Sequence, residues 1–282
     1  MRVEQLAGRG AVVTGGGGGI GRSIALSLAQ QGMDVVLADI ELESAERVRD
    51  EIRGLGRRAI AVRTDVSQQA DVEALADASF DAFGDIAVLV NNAGVTWRPY
   101  RASWDASTDD FAWIMAVNFW GVLHGHRAFA PRMGRSGLPS HIVNTASRAV
   151  LQPIPGHAAY TASKAAVDGF SMAVRAEYAA AGLDIGVTVL FPGPVRTDFA
   201  SSERLRSADE RAEARGVVPW TTYTEGQPSD TGASASDAID PALVGPMVVD
   251  AIVHDRAYVL THPLPSHVTE RARMLAEAAA TR

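Results

Sequence analysis

Nine residues near the start of the chain, Thr14 to Arg22, read TGGGGGIGR, and their flanks decide what they are. Five glycines in a row suggest a slack linker when taken alone. Here GAVVT (10–14), a β-branched segment that reads as a buried strand, precedes them without a spacer. IGRSIALSLAQQG follows at once, with Ile20, Ile24 and Leu28 at i, i+4 and i+8 and a glycine stop at Gly32. Strand, glycine turn and helix N-terminus together make an anion site. The first helical N–H groups lack partners and sit at the positive end of the helix dipole. Glycines let the main chain approach a pyrophosphate without a Cβ in the way. Gly16, Gly18 and Gly21 fit the general G-x-G-x-x-G pattern. Thr14, Gly15, Gly19, Ile20 and Gly21 fit the more demanding T-G-x-x-x-G-I-G.

The alternation begun by this unit continues. Strands are predicted at 34–39, 58–64, 86–91, 141–147, 185–191 and 257–261. Helices are predicted at about 41–53, 68–83, 109–133, 158–181 and 240–254, with an Ala-rich helix from Ser266 on. Strands apolar along their whole length, alternating with helices, imply an α/β fold with a parallel sheet covered on both faces. Right-handed crossovers make it a doubly wound, Rossmann-type sheet of seven strands in a single domain spanning 1–282. Periodicity fails between 198 and 240. SSERLRSADERAEAR suits a polar helix, and EGQPSDTGASASD a mobile loop over the substrate site.

Composition narrows the classes of function. A net charge of −7 argues against nucleic acid and anionic membranes as partners. No apolar run reaches the roughly 18 residues that span a bilayer, and MRVEQLAGRGAVVTG lacks a signal-peptide core. A cytoplasmic protein is expected. With no cysteine there is no thiolate nucleophile and no Cys-bound metal. His124 and His126, at i and i+2, do not share a helix face and read as structural or exposed, so no metal site is expected.

Chemistry in this fold collects at the C-terminal ends of the strands. Ser147 closes the fifth strand, and Tyr160 opens the following helix with Lys164 one turn on, on the same face. Of the 26 basic side chains, Lys164 is the single lysine and the others are arginine. A chain that uses Arg everywhere else keeps Lys beside this Tyr, where the two are not interchangeable. Asp39 ends the second strand, 18 residues beyond Gly21. That is near the spacing for a carboxylate on a ribose 2′-hydroxyl, and a 2′-phosphate would meet like charge. Arg22 is the nearby cation and belongs to the helix start, so NAD is expected over NADP.

TGGGGGIG, Asp65-Val66, NNAG (91–94), Asn118, Ser147, Tyr160-x-x-x-Lys164 and PGPVRT (192–197) fall in the order and spacing of the short-chain dehydrogenase/reductase family. The chain resembles the single-domain branch of that family over about residues 8–198. The resemblance implies a nicotinamide cofactor and Tyr160 as the acid/base exchanging a proton with the substrate oxygen. It implies Lys164 on the nicotinamide ribose, lowering the tyrosine pKa, Ser147 on the substrate oxygen, and Asn118 on a water linking the lysine to solvent. It places Gly15, Gly19, Ile20 and Gly21 on the pyrophosphate, and Asp65 and Val66 at the adenine. Asn91 and Gly94 would border its ribose, and Pro192, Val195 and Thr197 also belong to the cofactor site. It further implies a homodimer or homotetramer.

The substrate is expected to be a small-molecule secondary alcohol or its ketone, aryl or bulky and apolar. Trp97, Tyr100, Trp104, Phe199, Trp220 and Tyr223 are candidates to line its pocket, with Trp104 also suited to the core. HIVNTAS, IGVTVLFPGPV and DAIVHDRAYVLTH resemble dehydrogenases that oxidise the benzylic alcohol of lignin-derived β-aryl ethers. The alternatives are a carbonyl reductase using NAD(P)H and a dinucleotide-binding sensor without catalysis; a sensor of this kind typically lacks the Tyr or Lys.

Overall fold

In a computed structural model of the chain, the structure describes residues 5–206, 218–223 and 237–280. Seven parallel strands form one sheet: β1 (Gly10–Thr14), β2 (Asp34–Asp39), β3 (Ala59–Arg63), β4 (Ile86–Asn91), β5 (Ser140–Thr145), β6 (Ile185–Phe191) and β7 (Tyr258–Leu260). Their order is β3-β2-β1-β4-β5-β6-β7, so the winding reverses between β1 and β4. The crevice at such a switch point is where ligands bind in open α/β sheets.

The five inner strands bury both faces, and their two-residue period divides the core. Val13, Val35, Leu37, Val90 and Leu190 face one side, against α1 (Gly19–Gln30), α2 (Leu42–Gly54) and α8 (Val244–Val253). Their neighbours Val12, Val36, Leu89 and Ile142 face the other, against α3 (Gln69–Phe83) and α5 (Gly121–Arg135).

The long helix expected over 109–133 is interrupted. α4 (Thr108–Met115), opened by a Ser107–Asp110 capping box, passes through a π-helical turn at Ala116–Trp120 before α5. That turn holds Asn118, whose carboxamide accepts from the Val95 N–H (2.8 Å) and donates to the Val95 carbonyl (3.1 Å). A π turn of this kind inserts a residue and re-aims a side chain. β5 stops at Thr145, two residues short of expectation, because Ser147 caps a short helix α6 (Arg148–Leu151) by accepting from the Ala149 N–H at 3.1 Å. α7 (Ala158–Ala180) follows, and α9 (Ser266–Ala280) ends the described chain.

The start of the 198–240 stretch is a 3-10 segment, Asp198–Leu205. It is tied down rather than loose, through Glu203 and Arg206. The rest of the predicted polar helix and most of the predicted mobile loop, 207–217 and 224–236, lie outside the described residues. At Ile239 the chain returns to pair with Pro194 and Arg196. No helix among the described residues is long and apolar enough to cross a membrane.

Candidate active site

A cleft of about 1260 Å³ runs across the C-terminal ends of the strands. It is lined by the site residues named from the sequence, except Asn91 and Asn118. Its geometry begins in the glycine loop. A Cβ on Gly21 would sit 2.0 Å from the Gly15 carbonyl oxygen, and Gly15 itself has φ +61° with its missing Cβ 2.9 Å from the Ala93 Cα. Around Gly18, by contrast, a Cβ would meet nothing within 4 Å. Gly18 is also the N-cap of α1 and gives that end no side-chain cap. The loop is thus closed against the protein and open towards the cleft, with unsatisfied N–H groups for an anion. The linker reading fails here.

Asp39 closes the adjacent end of β2. Its carboxylate accepts from the Gly17 N–H at 2.9 Å and the Glu41 N–H at 3.0 Å. Burial pushes its pKa up while those backbone donors pull it back. The Arg22 guanidinium is turned to Glu51 (Nε to Oε1, 2.9 Å) and leaves the cleft. A second cation that sequence reasoning passed over does line it: Arg47 on α2, which donates to the Ser44 hydroxyl at 2.8 Å. A pattern of spacings could not place it, because α2 packs onto the loop only in three dimensions. Asp65 accepts from the Ser67 N–H (3.0 Å) and hydroxyl (2.7 Å), and Val66 beside it packs under Gly121.

Of the paired asparagines, the inner one is not at the cleft. Strand alternation turns the Asn91 side chain under Gly125 of α5, where its Nδ2 donates to Asn144 Oδ1 at 2.9 Å. Asn92 reaches the loop instead, donating to the Thr14 (3.1 Å) and Gly15 (3.2 Å) carbonyls. Thr14 Oγ1 completes the tie by accepting from the Asn92 and Ala93 N–H groups at 3.0 and 3.1 Å. Asn118 lies behind Gly94, whose Cβ would approach both Asn118 Oδ1 and Lys164 Nζ at 3.2 Å. It is fully buried and also donates to Ser163 Oγ at 3.0 Å.

Ser147, Tyr160 and Lys164 come together at the β5 end of the cleft, all nearly buried. Lys164 donates to the Thr145 carbonyl at 2.8 Å, with Nζ 5.9 Å from the Tyr160 ring centroid. Burial pushes the Tyr160 phenol up to about 12, with the Ser147 hydroxyl working the other way. Burial also takes Lys164 down to about 7. Removal from water disfavours phenolate and ammonium alike, which is the cause of both shifts.

One neighbour of Tyr160 had no sequence signal. His157 stacks on it with centroids 4.4 Å apart and planes 8° from parallel, held by a 2.6 Å hydrogen bond between Nε2 and Thr96 Oγ1. Of the aromatic candidates, Tyr100 and Phe199 line the cleft, Phe199 edge-on to Tyr160 at 5.8 Å. Trp97 is the core residue and Trp104 the exposed one, the reverse of the core role weighed for Trp104. Trp104 meets Trp220 edge-on at 6.0 Å; the side chain of Tyr223 lies outside the described residues. Pro192, Val195 and Thr197 follow β6, with the Thr197 methyl 2.8 Å from where a Gly19 Cβ would be.

Comparison with known proteins agrees with this geometry. The family profile described as short chain dehydrogenase matches residues 9–208. A 1-deoxy-11-beta-hydroxypentalenate dehydrogenase of Streptomyces avermitilis is 38% identical over 252 residues, covering 89% of this chain and 84% of that one. A short chain dehydrogenase/reductase from Burkholderia phymatum, solved in complex with NAD, is 36% identical. It superposes with a TM-score of 0.86 over 98% of this chain and 96% of its own. A metagenomic short-chain oxidoreductase solved with NADP is 29% identical, with a TM-score of 0.70 over 92% and 99% of the two chains.

Proposed function

Because the chain belongs to the short-chain dehydrogenase/reductase family, we propose that it interconverts a secondary alcohol, aryl or bulky and apolar, and its ketone with NAD, Tyr160 being the acid/base. The observation that carries this reading is the gathering of Ser147, Tyr160 and Lys164 at one end of a cleft whose other end is Asp39. The residues fit a dinucleotide: a glycine cradle closed to any Cβ at Gly21, an uncapped helix N-terminus, and a carboxylate at the end of β2.

In this reading the main chain around Gly15, Gly19, Ile20 and Gly21 holds the pyrophosphate and Asp39 the adenosine ribose. Asp65, Val66 and Gly94, with the Asn91 main chain, border the adenosine half. Lys164, Pro192, Val195 and Thr197 hold the nicotinamide half. When bound, NAD supplies the hydride acceptor. Ser147 hydrogen-bonds the substrate oxygen, which aligns that oxygen with the phenol. In oxidation Tyr160 takes the hydroxyl proton from that oxygen, and in reduction it returns it. Asn118 orders the Gly94–Val95 corner and Ser163, and so sets the depth at which Lys164 sits. NAD is favoured because a 2′-phosphate would meet the Asp39 carboxylate; Arg47 works the other way.

One observation favours a second reading. Burial raises the Tyr160 phenol to about 12 and so makes it a weaker base for alcohol oxidation, which leans towards ketone reduction. Comparing kcat/KM in the two directions separates the readings. The proposal itself is tested with Tyr160→Phe, which is expected to keep NADH affinity and lose about 10²–10⁴-fold in turnover on a panel of aryl alcohols and ketones. Turnover within twofold of the unmodified chain removes Tyr160 from the mechanism. NADH binding with no turnover of any alcohol or ketone would leave the sensor reading.

A further inference from the structure

The cleft is lined by ionised groups of both signs. Asp39 and Asp65 stand at the adenosine end. The other end carries Arg98, in the loop after β4, which the catalytic reading does not use. Its guanidinium lies over the Tyr100 ring, 3.9 Å from the centroid. Tyr100 packs on His157 at 4.8 Å, and His157 stacks on Tyr160 at 4.4 Å. Arg98 thus ends an aromatic column whose first member is the proposed acid/base.

Arg98 spends one contact on its own backbone, Nη1 donating to the Trp97 carbonyl at 3.2 Å, and another on the Tyr100 hydroxyl, both of them neutral partners. Among the described residues no carboxylate pairs with it. The other arginines at the cleft are placed otherwise: Arg204 pairs with Glu41, Arg206 pairs with Asp110, and Arg47, on the Ser44 hydroxyl, lies at the adenosine end. The exception is Arg148, next to Ser147, whose Nε is buried without a partner. A guanidinium offers five donors in a planar fork that matches a carboxylate in two-point contact. Half-buried and stacked on a ring, Arg98 is partly stripped of water, and an anion there would offset that cost. The chain as a whole carries −7 and repels acids, so a local cation is what would select for one.

We propose that Arg98 reads a carboxylate carried on the body of the substrate, remote from the reacting carbon, so that the substrates are secondary hydroxy acids and their keto acids. The proposal rests on the alcohol–ketone reading above and narrows it. Two rings separate the guanidinium from Tyr160, so the carboxylate is not a substituent of the carbinol carbon. A rigid aryl or polycyclic acid fits that separation better than a short 2-hydroxy acid.

Matched probes test it. Calorimetry on the NAD-loaded protein compares 4-acetylbenzoate with its methyl ester, and kinetics compare 4-(1-hydroxyethyl)benzoate with its methyl ester. The acid is expected to bind about 10–100-fold more tightly than the ester, the range of one charge-assisted contact. Added salt should weaken the acid and spare the ester. Arg98→Gln should collapse the acid-to-ester ratio, and Arg98→Lys should restore part of it. Equal binding of acid and ester, no binding of the acid, or a ratio that survives Arg98→Gln overturns the proposal. Should Arg98→Gln fold poorly, the salt series on the unmodified chain decides instead, and an acid-to-ester ratio that salt leaves unchanged overturns the proposal. Acid-selective binding without turnover sinks the alcohol–ketone reading alone; turnover without acid preference sinks this one alone.

Discussion

Residue by residue, the glycine run does several jobs, and two substitutions separate them. Gly21 is closed by the Gly15 carbonyl 2.0 Å from any Cβ, and that oxygen belongs to the loop itself. Gly21→Val forces the pyrophosphate cradle open, so the affinities for NADH and NADPH are expected to fall together. Asp39 acts at the ribose alone. Asp39→Ser removes a charge-assisted hydrogen bond worth about 1.5–3 kcal/mol and relieves repulsion of a 2′-phosphate. It also frees the Gly17 N–H, while Arg47 still lines that end of the cleft. The NADH-to-NADPH preference is expected to narrow by about tenfold or more. Dissociation constants of both cofactors for both variants check this; a Gly21→Val variant that binds both normally removes the cradle, and an Asp39→Ser variant with unchanged preference removes the ribose role. Tyr160 and Lys164 could be placed at the cleft because two scarce residue types stand one helical turn apart after β5, and Asp39 because it closes β2 at a set distance from Gly21. The direction of the Asn91 side chain was not legible, because two asparagines share that end and only the pleat decides which one turns to the cleft.

At the scale of elements, the join between α4 and the Asp198–Leu205 segment rests on buried charge. Asp110, in the first turn of α4, pairs with Arg101 at 2.7 Å and with Arg206 at 2.8 Å; Glu203 also bonds Arg101. Trp97 and Trp113 offer their ring faces to the two guanidinia at 5.4 and 4.4 Å. The arginines hold the Asp110 carboxyl below its ordinary value against the opposing effect of burial. Asp110→Asn would leave two buried cations sharing one carboxylate. Breaking such a cluster costs about 3–5 kcal/mol, so the urea midpoint should drop sharply; an unchanged midpoint means the cluster holds nothing together. Glu203→Gln, at the more exposed corner, should cost less. Nothing in the sequence announced this join, since Arg101 and Glu203 are 102 positions apart and read locally as surface charges. The π turn at Ala116–Trp120 was hidden for a related reason, because the partners of Asn118 are the Val95 backbone and the Ser163 hydroxyl. The strands of the sheet needed no distant partner to be read. Being apolar on both faces, they carry their environment in their own composition.

Across the whole molecule, three histidines make acid the condition the fold tolerates least. Burial takes His126 down to about 4 and His141 and His157 down to about 3. Each bonds hydroxyl or amide partners, His126 with Tyr178 and Asn144, His141 with Thr188 and His157 with Thr96; Asn144 and Asp255, 3.9 Å from His141 Nδ1, favour the charged form but burial outweighs them. In the unfolded chain all three titrate near 6.5. Below that pH the unfolded state takes up protons the folded state refuses, so stability falls as pH falls. The loss starts near 6.5 and ends once pH passes the folded values at about 4 and 3. Each histidine contributes a slope of up to about 1.4 kcal/mol per pH unit. Three such slopes over two units reach the scale of a whole domain's stability, about 5–15 kcal/mol. Asp110, with its folded pKa lowered, adds to the loss only below the carboxylate range. The urea midpoint is therefore expected to fall from about pH 6.5 and to vanish near pH 4, while Lys164, taken down to about 7 by burial, makes it rise with pH above neutrality. His141→Gln, which cannot titrate, should lessen the slope by about one proton's worth. Imidazole proton signals of the folded protein should show these three rings unchanged between pH 7 and 5. A ring among them that titrates in that range, or a midpoint constant down to pH 5, would contradict the argument, because the folded state would then be binding the protons that burial is said to exclude.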